Sequence, residues 1–414
     1  MSRTIVWFCF LGLLLITSSL GAQSATDSSL LLPEIEVLAP NLREVPIGSV
    51  SKEWNSATAQ QMGFQSIADL LQLDQTTFVK SYGSGSLATS SVRGGSAGHT
   101  LVLWNGFPIH SPMLGLLDLS LLPINAAENI KLQKGGAAAL WGSGAIGGVL
   151  SLNNKPGWEK GWQTTLGSQA GSFGHWQHRL QVQAGSENFQ SVTKVLHEHA
   201  QNDFRYEPAP GLEAVPLDNA KLSKQNIQQD FYLRLPRKNA APDQIKLHLW
   251  WQQANRQIPP TLTQTRSEAY QYDQSTRINL SWQRYFAKAT TTMRAAWYDE
   301  DLDYFDPQTK LEALSNFRSW LAESHTQWQW SQRQDFQIGL SHFYTVAKAD
   351  GYAVAASENR SALFATHRVR FDRLQWQLSL RQALIDQQWA PLLPMFGVSM
   401  DVTPTIQLRG KLSR

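Results

Sequence analysis

The chain has 414 residues, a net charge of +3, only 17% charged residues and 16 tryptophans. So weak a charge gives no electrostatic basis for a nucleic-acid partner, and a single cysteine, Cys9, excludes a disulfide framework and a thiolate metal site. Few charges with many aromatics suit numerous short strands better than a soluble helical enzyme.

Arg3 precedes an apolar run from Ile5 to Ile16, followed by Thr17-Ser18-Ser19-Leu20-Gly21-Ala22. A positive start, a short apolar core and small residues form a secretory signal, read as segment 1–22 with cleavage between Gly21 and Ala25. The run is too short to span a bilayer, and Cys9 sits inside it rather than at its end, which argues against a lipid anchor. Pro33-Glu34-Ile35-Glu36-Val37-Leu38-Ala39-Pro40 is an alternating strand fenced by prolines. Such a strand cannot sit inside a sheet but can add to a partner's sheet edge. Met62, Phe64, Ile67, Leu70 and Leu71 recur at helical spacing and predict a short helix over 66–73.

Ser91 to Asn153 then reads as a glycine-turned β module. Its pieces are Arg93-Gly94-Gly95, an apolar run 100–104 ending in Asn105-Gly106, a strand around Ile130 to Leu132, and a small-residue tract from Gly135 to Gly148. The tract contains a literal G-x-G-x-x-G, Gly142 to Gly147. A dinucleotide site needs a helix after that pattern; here Val149 to Leu152 predicts a strand, and export removes the chain from such cofactors. The glycines are read instead as close packing of this module against a surrounding wall.

From Trp162 onward the sequence alternates. Ile245, Leu247, Leu249 and Trp251 oppose Lys246 and His248, and the pattern recurs through Ile406 and Leu408. About thirteen candidate strands of roughly 9–12 residues follow, as expected of strands that cross a bilayer. Connections at 185–188, 237–243, 287–288, 331–334, 372–373 and 403–404 are short, whereas those at 202–225, 254–275, 300–316 and 348–358 are long. Short turns on one side and long loops on the other are the arrangement of outer-membrane barrels, not of soluble sandwiches.

These residues converge on a resemblance to the TonB-dependent outer-membrane receptors. Glu34, Ile35, Glu36, Val37, Leu38 and Ala39 resemble the TonB box. Arg93, Gly94, Gly95, Asn105 and Gly106 resemble the plug's central strands, and Gly135, Gly142, Gly144, Gly147 and Gly148 fall in its most recognisable segment. Asn202-Asp203-Phe204 and Arg256 to Pro260 resemble barrel-loop patterns of the vitamin B12 receptor subgroup. The resemblance implies a mainly β protein: a small α/β plug domain at 42–156 inside an antiparallel transmembrane β-barrel from 160 to 414, with a periplasmic segment at 23–41. Plugged barrels have about 22 strands, so about thirteen predicts a C-terminally incomplete barrel and raises the expectation of a non-functional truncated product.

The implied activity is uptake across the outer membrane of a Gram-negative bacterium, not catalysis. A small-molecule ligand, a corrinoid such as vitamin B12 first and a ferric siderophore second, would be drawn in by TonB and its inner-membrane energising complex. The receptor would work as a monomer in outer-membrane lipid. Alternatives are a TonB-linked signal transducer and a passive porin or adhesin. Phe204, Tyr206, Tyr270 and Tyr272 are candidate ligand surfaces. Asp299, Asp301 and Asp303, in the predicted acidic loop, are candidate Ca2+ ligands, the only cofactor considered. His197 and His199 share one strand face, read as facing the lumen.

Overall fold

A computed structural model describes residues 46–414, apart from 64–65, 84, 209–210, 262–263 and 265. The signal segment, Cys9 and Glu34 to Ala39 lie outside the described residues.

The N-terminal module is a five-stranded sheet with small helices on it. Its strands are β1 (Val50–Asn55), β2 (Thr77–Ser81), β3 (Ala88–Val92), β4 (Thr100–Trp104), β5 (Phe107–Pro108), β6 (Asn129–Lys134) and β7 (Gly148–Asn153); β2 and β3 pair apart from the main sheet. The main sheet runs β1-β6-β7-β4-β5, and only β4 and β7 are parallel. Helix α1 (Ser56–Gln61) starts where the Asn55 side chain accepts from the Ala57 N–H at 2.9 Å. Helix α2 (Ile67–Gln72) lies where the apolar spacing predicts it. Ser66 and Asp69 cap it reciprocally at 3.2 and 3.0 Å, and its buried face is Ile67, Leu70 and Leu71. Helix α3 (Ala138–Trp141) is a single turn.

All five residues of β4 are buried, so its two faces fill two cores. Val102 and Trp104 join α2, Leu150 and Leu152, while Leu101 and Leu103 pack with Leu140 and Val149. Asn105 and Gly106 have φ of 48° and 89°, the pair of positive values a two-residue type I′ turn requires, and they reverse the chain from β4 into β5. The G-x-G-x-x-G leads into strand β7, as predicted.

The packing of that tract differs from expectation. A Cβ on Gly147 would come within 2.8 Å of the Val92 carbonyl, and one on Gly148 within 2.7 Å of the Gln133 carbonyl, both inside the module. Gly142 is the residue of the motif whose neighbour, Arg381, belongs to the wall. The glycines mostly let the module's own strands close on one another; they serve the wall at Gly142 and at Gly136, which meets Ser413.

The rest of the chain is one antiparallel sheet. It begins with β8 (Gly161–Gly171), β9 (His175–Gly185) and β10 (Phe189–Ala200). A small hairpin follows, β11 (Arg205–Tyr206) and β12 (Val215–Pro216). Then come β13 (Leu222–Arg237), β14 (Ala240–Gln257), β15 (Tyr270–Tyr285), β16 (Ala289–Asp306) and β17 (Leu311–Ser331). The sheet continues through β18 (Gln334–Ala349), β19 (Ala356–Arg370), β20 (Leu374–Ile385), the short β21 (Gln388–Trp389), β22 (Leu393–Asp401) and β23 (Gln407–Ser413). Thirteen strands lie in sequence order from β8 to β23, with β21 as a side pairing, in agreement with the thirteen read from alternation.

Strand length and one loop depart from expectation. The strands reach 21 residues in β17, and the predicted loop over 300–316 is mostly strand. Cross-strand partners explain this: Asn316 donates to Asp299 and Asp301 at 3.0 and 2.8 Å, and Arg318 to Asp299 at 3.1 Å, so a loop-like composition is satisfied as a ladder. Residues 258–269 and 201–221 remain long connections.

Burial in this sheet is inverted. On β14 the buried residues include His248, Gln252 and Arg256 beside Trp250 and Ala254, and on β20 Gln377, Ser379 and Arg381 beside Ala383. Leu340 and Leu363, paired across β18 and β19, are 59% and 57% exposed. Polar in and apolar out is the pattern of strands whose outer solvent is lipid. Aromatic pairs edge the apolar band. Trp328–Phe336 and Trp376–Phe396 stack near the short turns, and Trp320–Tyr344 and Tyr270–Phe305 stack toward the long connections. Trp320 and Trp328 sit on one strand, roughly 27 Å apart along it at strand rise, which tilt shortens to about the height of a transmembrane band.

Candidate functional site

The module sits against the inner face of the sheet, joined by two apolar clusters, the second through Met395 and Leu393, and by a wide polar seam. Trp250, Tyr298 and Leu321 of the sheet join the core around Trp104 and Phe107. Elsewhere, wall side chains donate to backbone carbonyls of the module. Lys224 reaches Ser120 O at 3.1 Å, Gln228 reaches Ala126 O at 3.2 Å, and Arg294 reaches Asn105 O at 3.4 Å; Gln252 also donates to Leu121 O. Beyond the end of β7, Asn154 donates to the fully buried Asp230 at 3.2 Å, and Asp230 also holds His248 at 2.6 Å.

On the side of the long connections the module and wall leave a cavity of about 940 Å3. Its module face is apolar, with Met113, Leu114, Leu116, Leu117 and Leu121. Its rim carries Phe204, Tyr206, Leu217 and the run Ile258 to Pro260. The rim is tied together. Phe204 packs edge-on against Phe173 at 5.8 Å, and Asn219 donates to Ile258 O and Ala269 O at 2.9 and 2.8 Å, bridging the two long connections.

Beneath the apolar face lies a charged floor. Arg256 joins module to wall, bonding Asp118 at 2.6 Å and Asp273 at 3.3 Å. Asp118 also accepts from the Ala88 and Ser120 N–H groups at 2.9 and 3.0 Å, so one carboxylate fixes two module segments and the wall. Arg277 makes a two-pronged pair with Glu300, both contacts at 2.8 Å, and lies over the Trp250 ring at 4.8 Å. A second cavity of about 410 Å3 lies between His110, Trp141 and strands β16 to β19. Burial pushes the His110 imidazole down to about 4, partly opposed by a backbone hydrogen bond, and its Nε2 accepts from the Val102 N–H at 3.0 Å. Near α2, burial would raise the Asp74 carboxyl, but Thr76 and Lys134 outweigh it and hold it at about 2.

The predicted site residues divide. Phe204 and Tyr206 line the large cavity; Tyr270 and Tyr272 do not. Tyr270 and Tyr272 alternate with Gln271 and Asp273, which line it, so they point to the outer face, where Tyr270 stacks on Phe305 at 5.0 Å. His197 and His199 likewise alternate with the inward Lys194, Leu196 and Glu198, so they face outward rather than into the lumen. Asp299, Asp301 and Asp303 share the face opposite Glu300, with Asp301 bordering the cavity. Among the described residues no three His, Cys, Asp or Glu are placed to hold a metal ion. Of the module glycines, Gly106 and Gly142 approach wall arginines, Arg294 and Arg381; Gly135 approaches Arg93, and Gly94 is open.

Sequence reasoning missed the floor. Asp118 and Arg256 lie 138 residues apart, and no local pattern pairs them. The one available signal was parity: Arg256, Asp273 and Arg277 fall on the polar, inward positions of β14 and β15.

Comparison with known proteins agrees with this geometry. The TonB-dependent Receptor Plug Domain family matches residues 45–149. The chain is 37% identical over 122 residues to the vitamin B12 transporter BtuB of Photobacterium profundum, covering 29% of this chain and 20% of that protein. It is also 37% identical over 101 residues to the same transporter of Vibrio vulnificus, covering 24% and 16%. Among solved structures, the siderophore receptor PirA of Acinetobacter baumannii superposes with a TM-score of 0.71 at 13% identity, over 88% of this chain and 60% of that one. The FrpB iron transporter of Neisseria meningitidis gives 0.70 at 12% identity, over 84% and 61%. The chain thus spans about a fifth of these curated relatives in alignment and about three-fifths of these solved receptors. Residues 45–149 match the plug domain of TonB-dependent receptors, and the sheet that follows shares the fold of part of the barrel in the solved receptors.

Proposed function

We propose that the protein is an outer-membrane receptor that binds a scarce small molecule from outside a Gram-negative cell and delivers it to the periplasm with energy supplied by TonB. The observation that carries this reading is the cavity of about 940 Å3 between the apolar plug apex and the rim at Phe204 and Ile258 to Pro260. It lies on the side of the long connections, while the short turns lie on the other. Signal segment 1–22 directs export, segment 23–41 offers Glu34 to Ala39 to TonB, the plug runs over 42–156, and the barrel begins at 160. Each receptor acts as a monomer.

The mechanism rests on the seam. The plug is held by wall side chains on its backbone carbonyls, contacts that water can replace one at a time, and by apolar packing at Trp250 and Met395. A pull on the N-terminal strand therefore meets many separate bonds as well as two apolar clusters. A corrinoid of the vitamin B12 type is the first ligand and a ferric siderophore the second; the BtuB relatives favour the first.

The test replaces Val37 with Pro, which removes a main-chain donor from a strand that must pair with TonB. Uptake falls to background while ligand binding at the cell surface is unchanged. Unchanged uptake would sink the assignment of the TonB segment.

A further inference from the structure

The large cavity carries more ionisable groups than its apolar lining suggests, and their balance has a sign. Two arginines line it, Arg256 and Arg277, against four carboxylates, Asp118, Asp273, Glu300 and Asp301. Lysine and histidine are missing from the described lining, so the net formal charge is −2. Both cations are already matched: Arg256 by Asp118 and Asp273, Arg277 by both oxygens of Glu300. A polyanion entering would meet no unmatched cation and an excess of carboxylates.

We propose that this cavity takes a neutral or cationic ligand with a broad apolar face, and that it rejects polyanionic metal chelates. The apolar face lies on Leu114, Leu116 and Leu117. The proposal rests on the cavity being the ligand site proposed above. It narrows both ligand classes: a neutral corrinoid fits, and among ferric siderophores a cationic hydroxamate fits where a tris-catecholate trianion does not.

The experiment titrates the full chain, purified in detergent micelles, with three probes and follows tryptophan fluorescence. The probes are cyanocobalamin (neutral), ferrioxamine B (monocationic) and a ferric tris-catecholate (trianionic). At least one of the first two binds no less than tenfold more tightly than the trianion. Asp301→Asn, and separately Asp273→Asn, narrows that ratio by on the order of tenfold, the scale of one charge near a protein surface. Protease resistance of the plug confirms that each variant is folded. A trianion that binds as tightly as the other two overturns the charge argument, and so does a folded chain that binds none of the three. These outcomes are distinct from failure of the transport reading, which shows as binding in the right order with no TonB-dependent uptake.

Discussion

Trp104, Ile67 and Leu150 are fully buried in the plug, as in any soluble domain, whereas in the barrel sheet the fully buried residues include Asp230, Gln337, Gln377 and Ser379. Outside that sheet Leu340, Leu363 and Trp330 stand exposed. The plug is ordered from within by apolar burial; the sheet is ordered by its hydrogen-bonded ladder and leaves its apolar side to another solvent. Where the two meet, the sheet presents polar side chains and the plug presents backbone carbonyls. A folded domain can thus lie against the sheet's inner face with its own core intact, joined to it by polar contacts and by two apolar clusters.

Substitutions can break or sharpen that contrast. The largest effect is expected in the plug. Trp104→Ala should cost about 3–5 kcal/mol, a value typical of buried aromatic truncation. Protease digestion would then remove the plug first while the strands of the sheet persist. A sheet lost together with the plug would show that the two are one cooperative unit. Leu363→Arg on the outer face should cost about 2–4 kcal/mol in bilayers, the cost of a midplane charge. Equal stability of this variant in lipid vesicles would contradict the lipid-facing assignment.

His110 gives a pH-dependent prediction. Its folded value of about 4 lies below the ordinary 6.5, so the neutral ring is the form the fold prefers. The stability it contributes is full above pH 6.5 and is lost as pH falls toward 4, by roughly 3 kcal/mol at most. Thermal melts across that range should flatten in His110→Gln if the histidine is responsible. The smallest effect belongs to Asp299→Asn, because its partner Arg318 is 55% exposed. An exposed pair contributes less than about 1 kcal/mol, so the melt should barely move.

Much of this was legible in the sequence because both regions are periodic. Alternation at Ile245, Leu247 and Leu249 against Lys246 and His248 fixed the strands and their faces, and the glycine motifs marked the plug. The errors came where composition and geometry part. Asp299 to Asn316 has the polarity of a loop, yet cross-strand partners make it ladder. Tyr270 and Tyr272 have the chemistry of ligand contacts, yet period 2 turns them away. The Arg256–Asp118–Asp273 floor was invisible because it joins three distant segments, and only the folded register brings them together.

The proposed function requires TonB-driven transport rather than passive permeation. The direct measurement is accumulation of labelled cyanocobalamin by cells expressing the receptor, with TonB present and with TonB deleted, alongside surface binding. The account predicts that deletion abolishes accumulation and leaves surface binding intact. Equal accumulation with and without TonB would contradict it and point to a passive pore.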